Sequence, residues 1–194
     1  MTIIDNLKNN IDKIGVFAIK LVQWSLDRLT LINDNNKKIK EIQNIFNNYY
    51  ENCKQHSFEF TKEIYKKDFN SELLDDYNIS EEAIASGSIG QVYKGISLDG
   101  EKEVAIKVIH PNIKYQLFMP RIFLKMYKFF VNNFECFKEY HIPLNFDDFF
   151  NNLEKQINFI NEVNNCNKIY KFYENNDLII IPKIYKYSKN IIVM

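Results

Sequence analysis

The stretch Ala85-Ser86-Gly87-Ser88-Ile89-Gly90-Gln91-Val92, followed at short range by Val104-Ala105-Ile106-Lys107, decides how this 194-residue chain is read. The first element fits a hairpin loop whose missing side chains let backbone N–H groups come close to phosphate oxygens. The second fits a strand that presents one lysine toward the α- and β-phosphates. Between them, Leu98-Asp99-Gly100 supplies a hairpin turn. Loop, turn and lysine strand agree in order and spacing, so residues 85–107 predict two paired strands of a nucleotide site.

Working outward, residues 83–97 and 101–109 read as strands rich in β-branched side chains, the second closed by His110-Pro111. Upstream, Ile4, Leu7, Ile11, Ile14, Ala18 and Leu21 recur at three- and four-residue steps and predict one amphipathic helix over 3–32, with Asp12, Lys13 and Lys20 on its other face. Asn33-Asp34-Asn35-Asn36 breaks it. A second helix over 37–54 carries Ile39, Ile42, Ile45, Phe46 and Tyr49 on one side, and 55–82 reads as loop with a short helix near 71–76. Downstream, helices are predicted over 112–133 and 147–175. Phe123, Met126, Tyr127 and Phe130 form one apolar stripe, and Phe150, Leu153, Ile157 and Ile160 another; the aromatic stretches at 123–130 and 146–150 read as core. Pro120 is a candidate break or start of the first of these helices. Strands at 178–187 and 190–194 flank a Ser188-Lys189-Asn190 turn. The fold class is α+β: a small antiparallel sheet, interrupted by a long helical insertion and then resumed. Residues 1–80 read as a helical extension and 81–194 as the sheet-bearing unit.

Composition narrows the function classes. Lysine plus arginine and aspartate plus glutamate both number 25, so net charge gives no case for nucleic acid or an anionic membrane surface. The aromatic stripes have no interleaved basic patch of the kind that stacks bases. Cys53, Cys136 and Cys166 lack paired spacing, which argues against a disulfide framework and fits a reducing compartment. His56, His110 and His141 share no metal-ligand spacing, and His110 is explained as the residue before Pro111. No run approaches the ~18 apolar residues of a membrane span. These features predict a soluble chain, leave peripheral membrane contact open, and assign no organelle.

The quoted motifs resemble those of the UbiB or aarF-domain atypical kinases, also called ABC-one proteins, a family associated with ubiquinone and other isoprenoid-lipid metabolism. That family has an alanine-rich phosphate loop, and here Gly87 stands where it usually has alanine. Val104-Ala105-Ile106-Lys107-Val108-Ile109-His110-Pro111 is similar to its lysine strand, and Asn158-Phe159-Ile160-Asn161-Glu162 to its helix carboxylate run. The resemblance implies a kinase-like N-lobe over 81–194, ending at the hinge strand, with residues 1–80 as a lid. It makes Ala85, Ser86, Gly87, Ser88, Ile89, Gly90, Val92 and Lys107 nucleotide-binding, and Glu162 the partner that positions Lys107. Lys20 and Gln23 match the family's lid motif with Val22 in the glycine position. Gln156 and Asn158 match its acidic pair, both acids replaced by amides, and Glu154 is a candidate substitute partner for Lys20.

The same resemblance places the catalytic Asp and the metal-binding Asp-Phe-Gly beyond the hinge strand. Asp147-Asp148-Phe149 precedes the helix carboxylate and is not that motif. The chain is therefore expected to bind ATP or ADP, to hold no metal of its own, and to need a C-lobe for Mg²⁺ and phosphoryl transfer. The implied partners are that missing C-lobe, a partner kinase or lipid-pathway proteins, with no nucleic acid. A non-catalytic interaction module or a degenerate relic is the alternative. Blander readings also stand: Lys107 as an edge-strand lysine, Gly87 and Gly90 as hairpin glycines at positive φ, and Glu162 as a helix-surface acid.

Overall fold

The computed structural model describes residues 3–32, 37–100, 102–135, 145–174, 176 and 178–194. Asn33 to Asn36, Cys136 and His141 lie outside the described residues, as do the side chains of Ile4, Asp12, Ile39 and Tyr49. The elements are α1 (Ile3–Ile14), α2 (Val16–Ile32), α3 (Lys37–Glu51), α4 (Phe58–Phe69), α5 (Leu73–Asp76), β1 (Tyr77–Ile79), β2 (Ala85–Ser86), β3 (Gly90–Ser97), β4 (Glu103–Ile109), α6 (Ile113–Asn133), α7 (Phe146–Gln156), α8 (Phe159–Tyr173), β5 (Lys186–Tyr187) and β6 (Ile191–Val193). The antiparallel sheet runs β1-β3-β4-β6-β5, with β2 also paired to β3. The α+β class and the interrupted sheet are as the sequence predicts.

Side-chain parity along β4 organises the molecule. Successive residues of a strand face opposite sides, and Val104, Ile106 and Val108 join Tyr93, Ile191 and Val193 in a core under α4 that includes Tyr65 and Leu73. The opposite parity gives Lys107 and Ile109. Ile109 enters a second core with Ile192, Phe149, Phe150, Leu153, Phe159 and Val163 from β6, α7 and α8. Lys107 lies opposite Val92 on β3 and Ile192 on β6. A third cluster, around Ile11, Ala18, Ile19, Phe46 and Tyr50, holds α1, α2 and α3 together. Asp68 at the end of α4 clamps the turn between β5 and β6, accepting from Ser188 Oγ at 2.6 Å and Asn190 Nδ2 at 2.9 Å.

Several sequence expectations need correction. The helix read over 3–32 is two, because Gly15 takes φ +88° and ends α1 with its N–H on the Ile11 carbonyl at 2.9 Å. Leu7 and Ile14 of the expected apolar face are exposed. The segment read as loop holds α4, capped by Ser57 accepting from the Phe60 N–H and ended by Asn70 in the left-handed region at φ 52°, and the short strand β1. The helix read over 147–175 is also two; Asn158 starts the second by accepting from the Ile160 N–H at 3.2 Å. Pro120 neither breaks nor starts α6, which runs through it. The Phe123, Met126 and Phe130 stripe is not core: those side chains are exposed, and Ile113, Leu117 and Val131 are the buried ones. α6 is apolar on several faces, so periodicity alone could not choose among them. The strand expected over 178–187 reduces to Lys186–Tyr187.

Gly87 and Gly90 do not take positive φ; among the described glycines only Gly15 does. Gly90 is required by close approach instead, since a Cβ there would lie 2.4 Å from the Val108 carbonyl oxygen, whereas one on Gly87 meets nothing nearer than 3.8 Å. Gly90→Ala is therefore expected to cost about 1–3 kcal/mol through overpacking, and Gly87→Ala to stay within about 0.5 kcal/mol. Thermal melts of the two variants check this, and equal midpoints would contradict it.

Candidate nucleotide site

The β2–β3 hairpin turns tightly, with the Gly87 N–H donating to the Gly90 carbonyl at 3.0 Å. Ala85 pairs with Val92, and Ser86, which is buried, pairs with Gln91. The loop is held from behind at three carbonyls. Cys53 N–H donates to Ser86 O at 2.8 Å and His110 N–H to Ile89 O at 2.9 Å, while His110 Nε2 bonds Gly87 O at 2.8 Å. The N–H groups of Ser88 and Ile89 meet no protein acceptor among the described residues. Gly87, Ser88, Ile89 and Gly90 line a cleft of about 1190 Å³; Ala85, Ser86 and Val92 do not.

Across the cleft, α8 carries Glu162 in its first turn. Lys107 Nζ donates to both of its carboxylate oxygens, at 2.7 and 2.8 Å. The ammonium also lies 4.9 Å from the centroid of Phe159, a fully buried ring that supports it as a cation–π platform. Both charged side chains remain partly exposed, at 26 % and 43 %, so the pair is reachable from the cleft. Two bonds to one carboxylate fix the ammonium more tightly than a single contact would.

Helices α2 and α3 complete the wall. Lys20 and Gln23 of α2 line the cleft, as do Asn47 and Tyr50 of α3 and Gln156 at the end of α7. Burial pushes the Lys20 ammonium below its ordinary value; Lys107 adds to this, while Cys53 and Asp27 act against it. Lys20 makes no ion pair among the described residues. Glu154, the candidate substitute partner, pairs instead with Arg121 of α6. Asn158 does not line this cleft. It caps α8 and borders a smaller pocket beside Lys114 and Arg121; a cap needs only a side-chain oxygen, which Asn and Asp both offer. Lys155 and Lys168 add two more cations to the cleft lining, so Glu162 is outnumbered and the cavity favours an anion. Among the described residues no three His, Cys, Asp or Glu side chains gather to hold a metal, and no helix is long and apolar enough to cross a membrane.

Sequence reasoning missed Asn47 and Tyr50, which sit on a helix read only for its apolar face. It also missed the contact between His56 and His110, whose Nδ1 atoms lie 2.8 Å apart although 54 residues separate them. No local spacing signals such a pair.

The family model described as the ABC1 atypical kinase-like domain matches residues 48–194. The "Probable serine/threonine-protein kinase abkC" of Dictyostelium discoideum is 30% identical over 173 residues, covering 87% of this chain and 24% of that protein. The "AarF domain-containing protein kinase 1" of Mus musculus is 24% identical over 132 residues, covering 68% of this chain and 25% of its own length. The "Protein ACTIVITY OF BC1 COMPLEX KINASE 3, chloroplastic" of Arabidopsis thaliana is 25% identical over 108 residues, 56% of this chain and 15% of that protein. The chain thus spans about a quarter or less of the length of these relatives. With a matched domain over most of its residues and a lysine–carboxylate pair beneath a glycine loop, the chain belongs to the ABC1 atypical kinase-like family.

Proposed function

We propose that the cleft binds the phosphates of ATP or ADP. The observation that carries this reading is the bidentate Lys107–Glu162 pair facing the residue 87–90 turn across one cavity. In a kinase N-lobe that pair presents the ammonium to the α- and β-phosphates while loop N–H groups cover them. Lys20, which has lost an acidic partner, brings a second ammonium to the same cavity. Gln156 lacks the charge that would attract a metal or repel phosphate, so the cleft recognises polyphosphate through its lysines.

In this reading α2 and α3, within the extension over 1–80, form a lid, and 81–194 forms the nucleotide-facing lobe. Phosphoryl transfer, and Mg²⁺ with it, belongs to a C-lobe carrying the catalytic and metal-binding aspartates. Isoprenoid-lipid metabolism is the process that the family resemblance implies. Leu178 and Ile180, 93 % and 95 % exposed, give a second lobe an apolar surface to cover, and Ile180 itself lines the cleft. The amides at Gln156 and Asn158 favour a second reading, a non-catalytic binding module; co-purification of a partner without any nucleotide-induced thermal shift would select it.

Lys107→Ala is expected to weaken ATP and ADP binding about 10- to 100-fold, the loss of one or two charge-assisted hydrogen bonds. Calorimetric titration measures it, circular dichroism checks the fold, and unchanged affinity would sink the assignment. Lys20→Gln should weaken binding about 3- to 10-fold and flatten its salt dependence. An unaltered salt response would remove Lys20 from the phosphate site.

A further inference from the structure

Behind the phosphate loop lies a chain of hydrogen bonds whose direction is fixed by chemistry. The Gly87 carbonyl can only accept, so His110 carries its proton on Nε2, 2.8 Å away. Its Nδ1 is then bare and must accept, which puts the His56 proton on Nδ1 across the 2.8 Å contact. His56 Nε2, bare in turn, accepts from the Thr61 hydroxyl at 3.0 Å. Thr61 Oγ1 accepts from the Tyr93 hydroxyl at 2.8 Å, and the Tyr93 oxygen accepts from the Gln91 side-chain amide. Gln91 is oriented by the His56 backbone, whose N–H donates to Oε1 at 2.9 Å and whose carbonyl accepts from Nε2 at 3.1 Å. Thr61, Gln91 and Tyr93 are buried.

We propose that His110, oriented by His56, is a positioning residue for the phosphate loop: the pair holds the Gly87 carbonyl back while His110 Nδ1 stays bare to accept from His56. This rests on the reading of residues 87–90 as a phosphate loop. A proton added to His110 Nδ1 would set two N–H groups against each other at 2.8 Å, where one must be an acceptor; one added to His56 Nε2 would leave that contact intact and oppose the Thr61 hydroxyl instead. Thr61, Gln91 and Tyr93 already have their places in the chain, so a displaced His56 finds no second acceptor there. With His110 Nδ1 protonated and the pair pushed apart, the loop would lose its tether at Gly87 while keeping those at Ser86 and Ile89.

The surroundings favour neutrality. Burial, joined by the facing His110, pushes His56 down to about 4. Burial also lowers His110, partly opposed by its bond to the Gly87 carbonyl. Of the other titratable groups on the elements packed here, Tyr93 is within the chain, Cys53 precedes α4, and Glu59 and Lys62 on α4 pair with each other at 2.7 Å. With folded values below the unfolded one, the contribution is fully present above about pH 6.5 and is lost as the pH falls toward about 4.

The test is nuclear magnetic resonance on the full chain, followed by ATP titration. Long-range ¹⁵N–¹H correlation at pH 7.5 should show the proton on Nδ1 of His56 and on Nε2 of His110; the opposite tautomers would overturn the proposal. The Gly87 and Gly90 amide signals should shift with the imidazoles on acidification. His110→Gln, which keeps an amide donor for Gly87 without a titrating ring, should abolish that shift and bind ATP within about twofold of wild type at pH 7.5. His110→Leu should bind about 3- to 10-fold more weakly, the worth of one hydrogen bond. The ratio of variant to wild-type affinity at each pH cancels the titration of ATP itself. Glycine amides indifferent both to pH and to His110→Leu would overturn the positioning role. Amides that respond as expected in a protein that binds no ATP at any pH would uphold the positioning role and overturn the nucleotide reading. If His110→Leu does not fold, the wild-type tautomers and His110→Gln still decide.

Discussion

One ion pair makes this collection of helices and strands a site. Lys107 is on the central strand of the sheet and Glu162 on a helix that follows it by more than fifty residues, and their bidentate contact spans the cleft. It forms because β4 parity sends Lys107 away from Ile106 and Val108, and because Asn158 starts α8 where Glu162 falls in its first turn. A slip of one residue in the pairing of β4 with β3 or β6 would bury the ammonium among Tyr65 and Tyr93 and turn Ile106 into the cleft. The large aliphatic and aromatic cores on either face make such a slip costly, so the packing of the sheet and the geometry of the site are one constraint.

The surrounding charge follows from that pair. Glu162 neutralises one lysine, and Lys20, Lys155 and Lys168 remain around the same cavity. With an amide, Gln156, at the end of α7, Lys20 is the charged side chain that α2 and α3 bring to the cleft, beside Gln23, Asn47 and Tyr50. The desolvated Lys20 ammonium is held there without an ion pair among the described residues, a cost that an anion in the cleft would offset.

Much of this was legible in the sequence because it is written locally. The loop, the β4 lysine and the turn between their strands are contiguous motifs, and Glu162 was reached through a family pattern. The errors share a different origin. Gly15 lies in a continuous apolar rhythm, and nothing in that rhythm reports a left-handed backbone. α4 was passed over although Ser57 and Asn70 bracket it, since its buried face mixes Thr61 and Tyr65 with aliphatic residues. On α6 the apolar residues run around the helix, so Phe123 and Phe130 looked as much like core as Leu117. The His56–His110 contact is a tertiary coincidence of two loops, invisible to any reading of spacing.

Gly15 has one more effect. Its left-handed turn ends α1 and frees the Val16 N–H to bond Gln116 Oε1 at 3.1 Å, so α2 begins on a side chain of α6. Val16 also shares a core with Ile113 and Leu117 of that helix. Helix α2 is thus moored to the inserted helix at its start, one turn before Lys20. One helix, α6, therefore carries an exposed aromatic face and, through Gln116, the start of the helix that walls the cleft.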